Sequence, residues 1–203
     1  MIDQQVLDAA EGYVREYFAS DASGHDAHHT LRVMRLARRL AEDEGADEAV
    51  VCLAALLHDV DDAKLSPNTA EGLDNACDFL REHGVGETDA QAVLTAIREV
   101  SFSKNGGKAP SSVESACVRD ADRLDAIGAI GVARAFAYGG SHDRSLHDPD
   151  GTDAQTTTAH FHDKLLLLKD MMCTRAGRRI AERRDAVTRE FLREFLAEWD
   201  GAR

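Results

Sequence analysis

The sequence predicts an all-α fold, a helical bundle of about eight helices. Apolar residues recur at helical spacing along most of the chain, and no segment alternates apolar and polar as a half-buried strand does. Only three prolines occur, at 67, 110 and 149, each in a Gly-, Ser- or Asp-rich stretch that reads as a loop. Residues 2–19 place Ile2, Val6, Tyr13 and Tyr17 on one stripe, and 26–44 place Val33, Leu36, Ala37 and Leu40 on another, with Gly45 as the stop. Asp47 caps the next helix, 48–61, whose AVVCLAALL stretch is apolar on nearly every side and reads as central and buried. A short helix at 72–83 ends at Gly84, and Thr88 caps one over 89–100. Ser111 or Ser112 opens a long helix over 113–137, Thr157 or Thr158 opens one to about residue 173, and 176–199 forms the last. In that last helix FLREFLAEW is amphipathic, and Leu165–Leu168 reads as core. The long loops at 62–71, 101–111 and 139–156 and their edges carry many polar residues, Asn105 and Tyr138 among them, and loops of that length are often functional.

Composition narrows the function classes. The 203 residues fit one domain, with a core over about 20–137 and C-terminal helices at 157–200 packed on it. A net charge of −13 repels a phosphate backbone, so a nucleic-acid polymer is not the expected partner. No apolar run approaches the roughly 18–20 residues that span a bilayer, and the first residues lack the order of a signal peptide. Cys52, Cys77, Cys117 and Cys173 form no CxxC, and each falls in a helical pattern, so they read as reduced thiols of a cytoplasmic protein.

His58-Asp59 stands at the end of the most apolar helix, where an imidazole and a carboxylate need partners. A metal ion accepts both donors together. Upstream, His25 and His29 are four residues apart and share a helix face that Arg32 continues. Downstream, Asp120, Asp122 and Asp125 fall within six residues, and Asp122 and Asp125 share a face. Leu124, Ile127, Ile130 and Val132 place that segment on a core-facing helix. One His of the first segment, His58, Asp59 and one Asp of the last would make a site of two His and two carboxylates, with room for water and substrate oxygen.

The order His29, His58-Asp59, Asp122 resembles the HD-domain superfamily of metal-dependent phosphohydrolases, above all its small bacterial members, which include nucleoside triphosphate pyrophosphohydrolases. The resemblance covers nearly the whole chain. It rests on GHDAHHTLRV (24–33), ALLHDVDDAKL (55–65), SFSKNGG (101–107), RDADRLDAIGAIGVARAFAYGG (119–140), RSLHDP (144–149) and HFHDKLLLLKDMMCTRAG (160–177). Ala27 departs from the larger residue usual at its position, which implies a slightly wider pocket.

The resemblance implies His29, His58, Asp59 and Asp122 as ligands of one divalent ion, Mn²⁺ or Mg²⁺, while spacing alone leaves Fe, Co, Ni and Zn open. It implies that Asp62 orients or deprotonates the attacking water; Asp62 is three residues after Asp59, on the same expected helix face, and Glu99, just before SFSKNGG, is a competing base. Arg32, Lys64, Lys104, Arg123, Arg144 and Lys164 fall in the resembling segments and suit phosphate contacts, as do Asn105 and Tyr138 in the loops. The expected substrate is a small nucleotide or other phosphate ester, and a homodimer is compatible with the sequence. The alternatives are a cyclic-nucleotide or other phosphodiester hydrolase and an HD-fold di-iron oxygenase. The second needs further His ligands, and only His83 lies between residues 60 and 121.

Overall fold

The computed structural model describes residues 1–19, 27–63, 65–100 and 108–202. Among these residues it is all helical, with nine α-helices, one 3₁₀ segment and no strand. None of its helices is long and apolar enough to cross a membrane. The chain divides into two compact units, Met1–Asp122 and Arg123–Arg203.

The first unit contains α1 (Gln4–Tyr17), α2 (Ala27–Glu44), α3 (Glu48–Leu57), α4 (Asp74–Glu82), α5 (Glu87–Val100) and most of α6 (Val113–Asp125). Helix α3 is its centre: every residue from Val50 to Leu57 is buried, and α1, α2 and α5 pack around it. An all-apolar surface has no solvated side to offer, so a helix with this composition must be enclosed. Asp47 caps α3 by accepting from the Ala49 and Val50 amides at 3.0 and 3.2 Å. Gly45, at φ 70°, ends α2 as its sequence position suggests. Helix α6 is tied in at its start and at its middle. Glu114 accepts from the Asp47 amide at 3.2 Å, and the buried Arg119 donates to the carbonyls of Glu99 and Lys108 at 2.7 and 2.6 Å.

The second unit holds α7 (Gly128–Ser141), α8 (Thr157–Asp163), the 3₁₀ segment Leu165–Met171 and α9 (Arg175–Trp199). Helices α7 and α8 and the 3₁₀ segment pack in sequence onto one another, and α9 lies against α7 and the 3₁₀ segment. Phe136, Phe161, Phe191 and Phe195 form an aromatic core with centroid separations of 5.5–6.2 Å.

Several elements differ from expectation for local reasons. The helix expected over 113–137 is two helices. Ile127 is extended and Gly128 takes φ 80°, a left-handed turn that its missing Cβ permits. Three residues on, a Cβ at Gly131 would sit 2.2 Å from the Ala126 carbonyl oxygen, so the corner closes only on glycine. Ile130, expected to face the core, is exposed, whereas Leu124, Ile127 and Val132 are buried. The helix expected to residue 61 ends at Leu57. The His58 ring nitrogen Nδ1 bonds to the Ala55 carbonyl at 2.8 Å, and main-chain turns of three residues follow. The helix expected from Thr157 or Thr158 to residue 173 is the short α8, capped by Thr156 instead, followed by the 3₁₀ segment. Thr88 lies inside the first turn of α5 rather than capping it. The loop expected at 139–156 begins after α7 closes at Ser141, and its end is pinned by Thr157 and Thr158 amides donating to Ser145 and Leu146. All four cysteines are free thiols, with Cys52 and Cys117 buried, and Cys173 lies between helices rather than within one.

Candidate metal centre

Three helices of the first unit converge on one point. His29 is the third residue of α2, His58 caps the end of α3, Asp59 follows it, and Asp122 lies in the last turn of α6. His29 and His58 are buried and their rings meet edge to face at 5.4 Å. His29 Nε2 stands 3.4 Å from Asp59 Oδ2 and 3.5 Å from Asp122 Oδ1. His58 Nε2 stands 3.3 and 3.9 Å from the same two oxygens. His29, His58 and Asp59 each offer one donor atom within 4.8 Å of the others.

The donor set fits a divalent cation on two observations. The first is the His58 ring. Its Nδ1–H donates to the Ala55 carbonyl, which fixes the tautomer and leaves Nε2 with its lone pair turned to the cluster. That Nε2 is sealed from solvent and has no hydrogen-bond partner of acceptable geometry among the described residues. A buried polar atom left so is costly unless a ligand completes it. The second is charge. Two carboxylates crowd the same imidazoles. Burial acts to lower the His58 pKa, but Asp59 and Asp122 outweigh it and hold it up, from 6.5 to about 9. The site thus attracts positive charge, which a proton supplies when no cation does.

The other anticipated residues divide clearly. Asp125, which shares a face with Asp122 in the sequence, is buried in the second unit and pairs with Arg134 at 2.8 Å. Asp122 is therefore the one of the two that joins the histidines. Asp62 is half-buried at the exit of the turn, with its amide donating to the Asp59 carbonyl at 3.1 Å. It does not share an α-helix face with Asp59, because α3 has already ended. Glu99 accepts from the Ser111 amide at 3.0 Å. Burial acts to raise its pKa, but hydrogen bonds from Ser111 and Ser115 and the charge of Arg119 outweigh it and hold the carboxyl low. Glu99 thus anchors the chain at the start of α6. Arg32 is half-buried one turn beyond His29 on α2.

In the second unit, the buried Arg123 donates to the Met171 carbonyl and so holds the end of the 3₁₀ segment. The Arg144 guanidinium lies 5.1 Å from the Tyr138 ring centroid, and His142 stacks on that ring at 3.9 Å. Lys164, half-buried, stands between α8 and the 3₁₀ segment. His25, Asp26, Lys64, Lys104 and Asn105 lie outside the described residues.

Sequence reasoning gave no role to Asp61 or Asn75 and read Tyr17 only as part of an apolar stripe. Asp61 is buried and accepts from the Asn75 and Ala76 amides at 3.1 and 2.9 Å. It thereby caps α4, whose own N-cap residue Leu73 has φ 57° and makes no side-chain cap. The only trace in the sequence was a third acid in the HDVDD run.

Comparison with known proteins identifies the family. The HD domain family matches residues 26–127. The uncharacterized protein YpgQ of Bacillus subtilis is 42% identical over 185 residues, which cover 90% of this chain and 88% of that protein. The crystal structure of YpgQ in complex with ADP superposes with a TM-score of 0.78 at 36% identity, covering 95% of this chain and 96% of the other. A Lactobacillus plantarum protein reaches a TM-score of 0.85 at 39% identity over 99% and 100% of the two chains. An HD-superfamily hydrolase of Bacillus thuringiensis gives 0.78 at 38% identity over 97% and 98%. With two histidines and two aspartates gathered as described, the chain belongs to the HD-domain family, the superfamily of metal-dependent phosphohydrolases.

Proposed function

We propose that this chain hydrolyses a phosphate ester or anhydride bond of a small nucleotide, in the manner of a nucleoside triphosphate pyrophosphohydrolase, with one divalent ion, Mn²⁺ or Mg²⁺, held by His29, His58, Asp59 and Asp122. The observation that carries the reading is the buried His58 Nε2, which makes no well-formed hydrogen bond among the described residues and faces two carboxylates and a second imidazole. When bound, such an ion supplies Lewis acidity toward a phosphoryl oxygen and a lowered pKa for water. His58 and His29 serve as neutral donors, the former kept in the required tautomer by the Ala55 carbonyl. Asp62 accepts the proton of the attacking water, three residues beyond Asp59 on a turn whose main chain is closed by its own amide. Arg32, with Lys64, Lys104 and Asn105, binds the phosphates.

The choice of a nucleotide is supported by YpgQ, a relative 42% identical whose structure has been determined with ADP. A net charge of −13 favours a small substrate over a polymer. The test is release of phosphate and pyrophosphate from a nucleotide panel with Mn²⁺. Turnover of nucleoside triphosphates supports the reading. Preference for long RNA or DNA in competition, or oxygen uptake by an iron-loaded protein, would contradict it.

A further inference from the structure

The turn that carries His58, Asp59 and Asp62 is fastened from outside at the two residues between the aspartates. Val60 is fully buried, and its carbonyl lies past the end of α3. Two side chains from distant elements meet it. The Tyr17 hydroxyl, at the end of α1, donates to it at 2.9 Å, and the Asn75 carboxamide, in the first turn of α4, donates at 2.9 Å. Asn75 Nδ2 also reaches Thr69 Oγ1 at 3.1 Å and the Tyr17 hydroxyl at 3.3 Å, and that hydroxyl contacts Ser66 Oγ. The next residue, Asp61, is held by the amides of Asn75 and Ala76. Residue 75 thus holds Val60 through its side chain and Asp61 through its main chain.

We propose that Asn75 and Tyr17 are positioning residues of the metal centre. They fix the backbone between Asp59 and Asp62, so that those two carboxylates keep one spacing. The inference rests on the metal-centre reading above. A carboxylate that must meet a cation within a few tenths of an ångström gains from an immobile main chain, and partners that orient metal ligands typically carry about 10–100-fold in metal affinity or activity. A network serving stability alone would leave affinity untouched once the protein is folded.

The test is calorimetric titration of Mn²⁺ into metal-free wild type, Tyr17→Phe, Asn75→Ala and the double variant, with thermal melting of each metal-free protein. Tyr17 is half-buried at the edge of its helix, so Tyr17→Phe keeps the fold measurable even where Asn75→Ala lowers it. Each single change is expected to weaken Mn²⁺ binding about 10-fold or more. Because both act through one carbonyl, the double variant is expected to lose less than the product of the two single losses. Variants that melt lower yet bind Mn²⁺ as wild type does would overturn the proposal and leave the metal centre standing. Wild type that binds no Mn²⁺ would overturn the metal reading, and this inference with it.

Discussion

Replacing Asp61 with Ala isolates the device that joins the metal-bearing turn to α4. Asp61 is 3% exposed, and its carboxylate takes two amides, Asn75 at 3.1 Å and Ala76 at 2.9 Å. Losing a helix N-cap acceptor costs about 0.5–2 kcal/mol. Ala76 is fully buried, so its N–H would have no water to turn to, and a buried donor left unmade costs about 1–3 kcal/mol. Asn75 is half-exposed and its amide can be solvated. Relief of the carboxylate's own desolvation offsets part of the loss, which leaves a net effect of about 2 kcal/mol. For a chain of this size that is a Tm lower by about 4–8 °C. Asp61→Asn retains one acceptor oxygen and is expected to cost about half as much. Urea unfolding gives the stabilities, and hydrogen exchange reads the Asn75 and Ala76 amides directly. If Asp61→Ala stays within about 0.5 kcal/mol of wild type, the range of an ordinary surface change, with both amides still protected, the capping argument is wrong.

Other expectations are as direct. Asp62→Asn keeps the size and removes the proton acceptor, so kcat should fall about 10²–10⁴-fold with bound metal unchanged and KM little altered; wild-type kcat would exclude Asp62 as the base. His58 is raised in the folded metal-free protein from 6.5 to about 9, so its stabilising contribution is complete below 6.5 and lost as pH rises through about 9. The Tm of chelator-treated protein should therefore decline across that window, and a flat profile would count against the cluster's charge arrangement. Gly128→Ala forces a left-handed backbone on a residue with a Cβ and crowds Arg184 at 3.1 Å, so a loss of about 1–2 kcal/mol or more is expected in urea unfolding.

The helices were legible because burial imposes a period that the sequence must keep, and α3 was legible as the centre because no polar face interrupts it. The corner at Gly128 was hidden, since an apolar stripe runs across it and isolated glycines inside such a stripe, here Gly128 and Gly131, read as tolerated. The end of α3 was hidden for a related reason: Val60 continues the apolar pattern, while the ring of His58 takes the Ala55 carbonyl. At the site, the convergence of His29, His58, Asp59 and Asp122 followed the family order. Spacing alone left Asp122 and Asp125 open and the resemblance chose Asp122; in the structure Asp125 pairs instead with Arg134 of another helix. Glu99 and Arg123 drew notice for their charge, and both use it on nearby main chain: Glu99 accepts the Ser111 amide, Arg123 donates to the Met171 carbonyl. Asn75 and Tyr17 carry no charge pattern, so only coordinates reveal their hold on Val60.

If His29, His58, Asp59 and Asp122 hold one divalent ion, elemental analysis of Mn²⁺-loaded, desalted protein should find one ion per chain in wild type, and almost none in Asp59→Ala with helical circular dichroism intact. Full metal content in Asp59→Ala would contradict that ligand set.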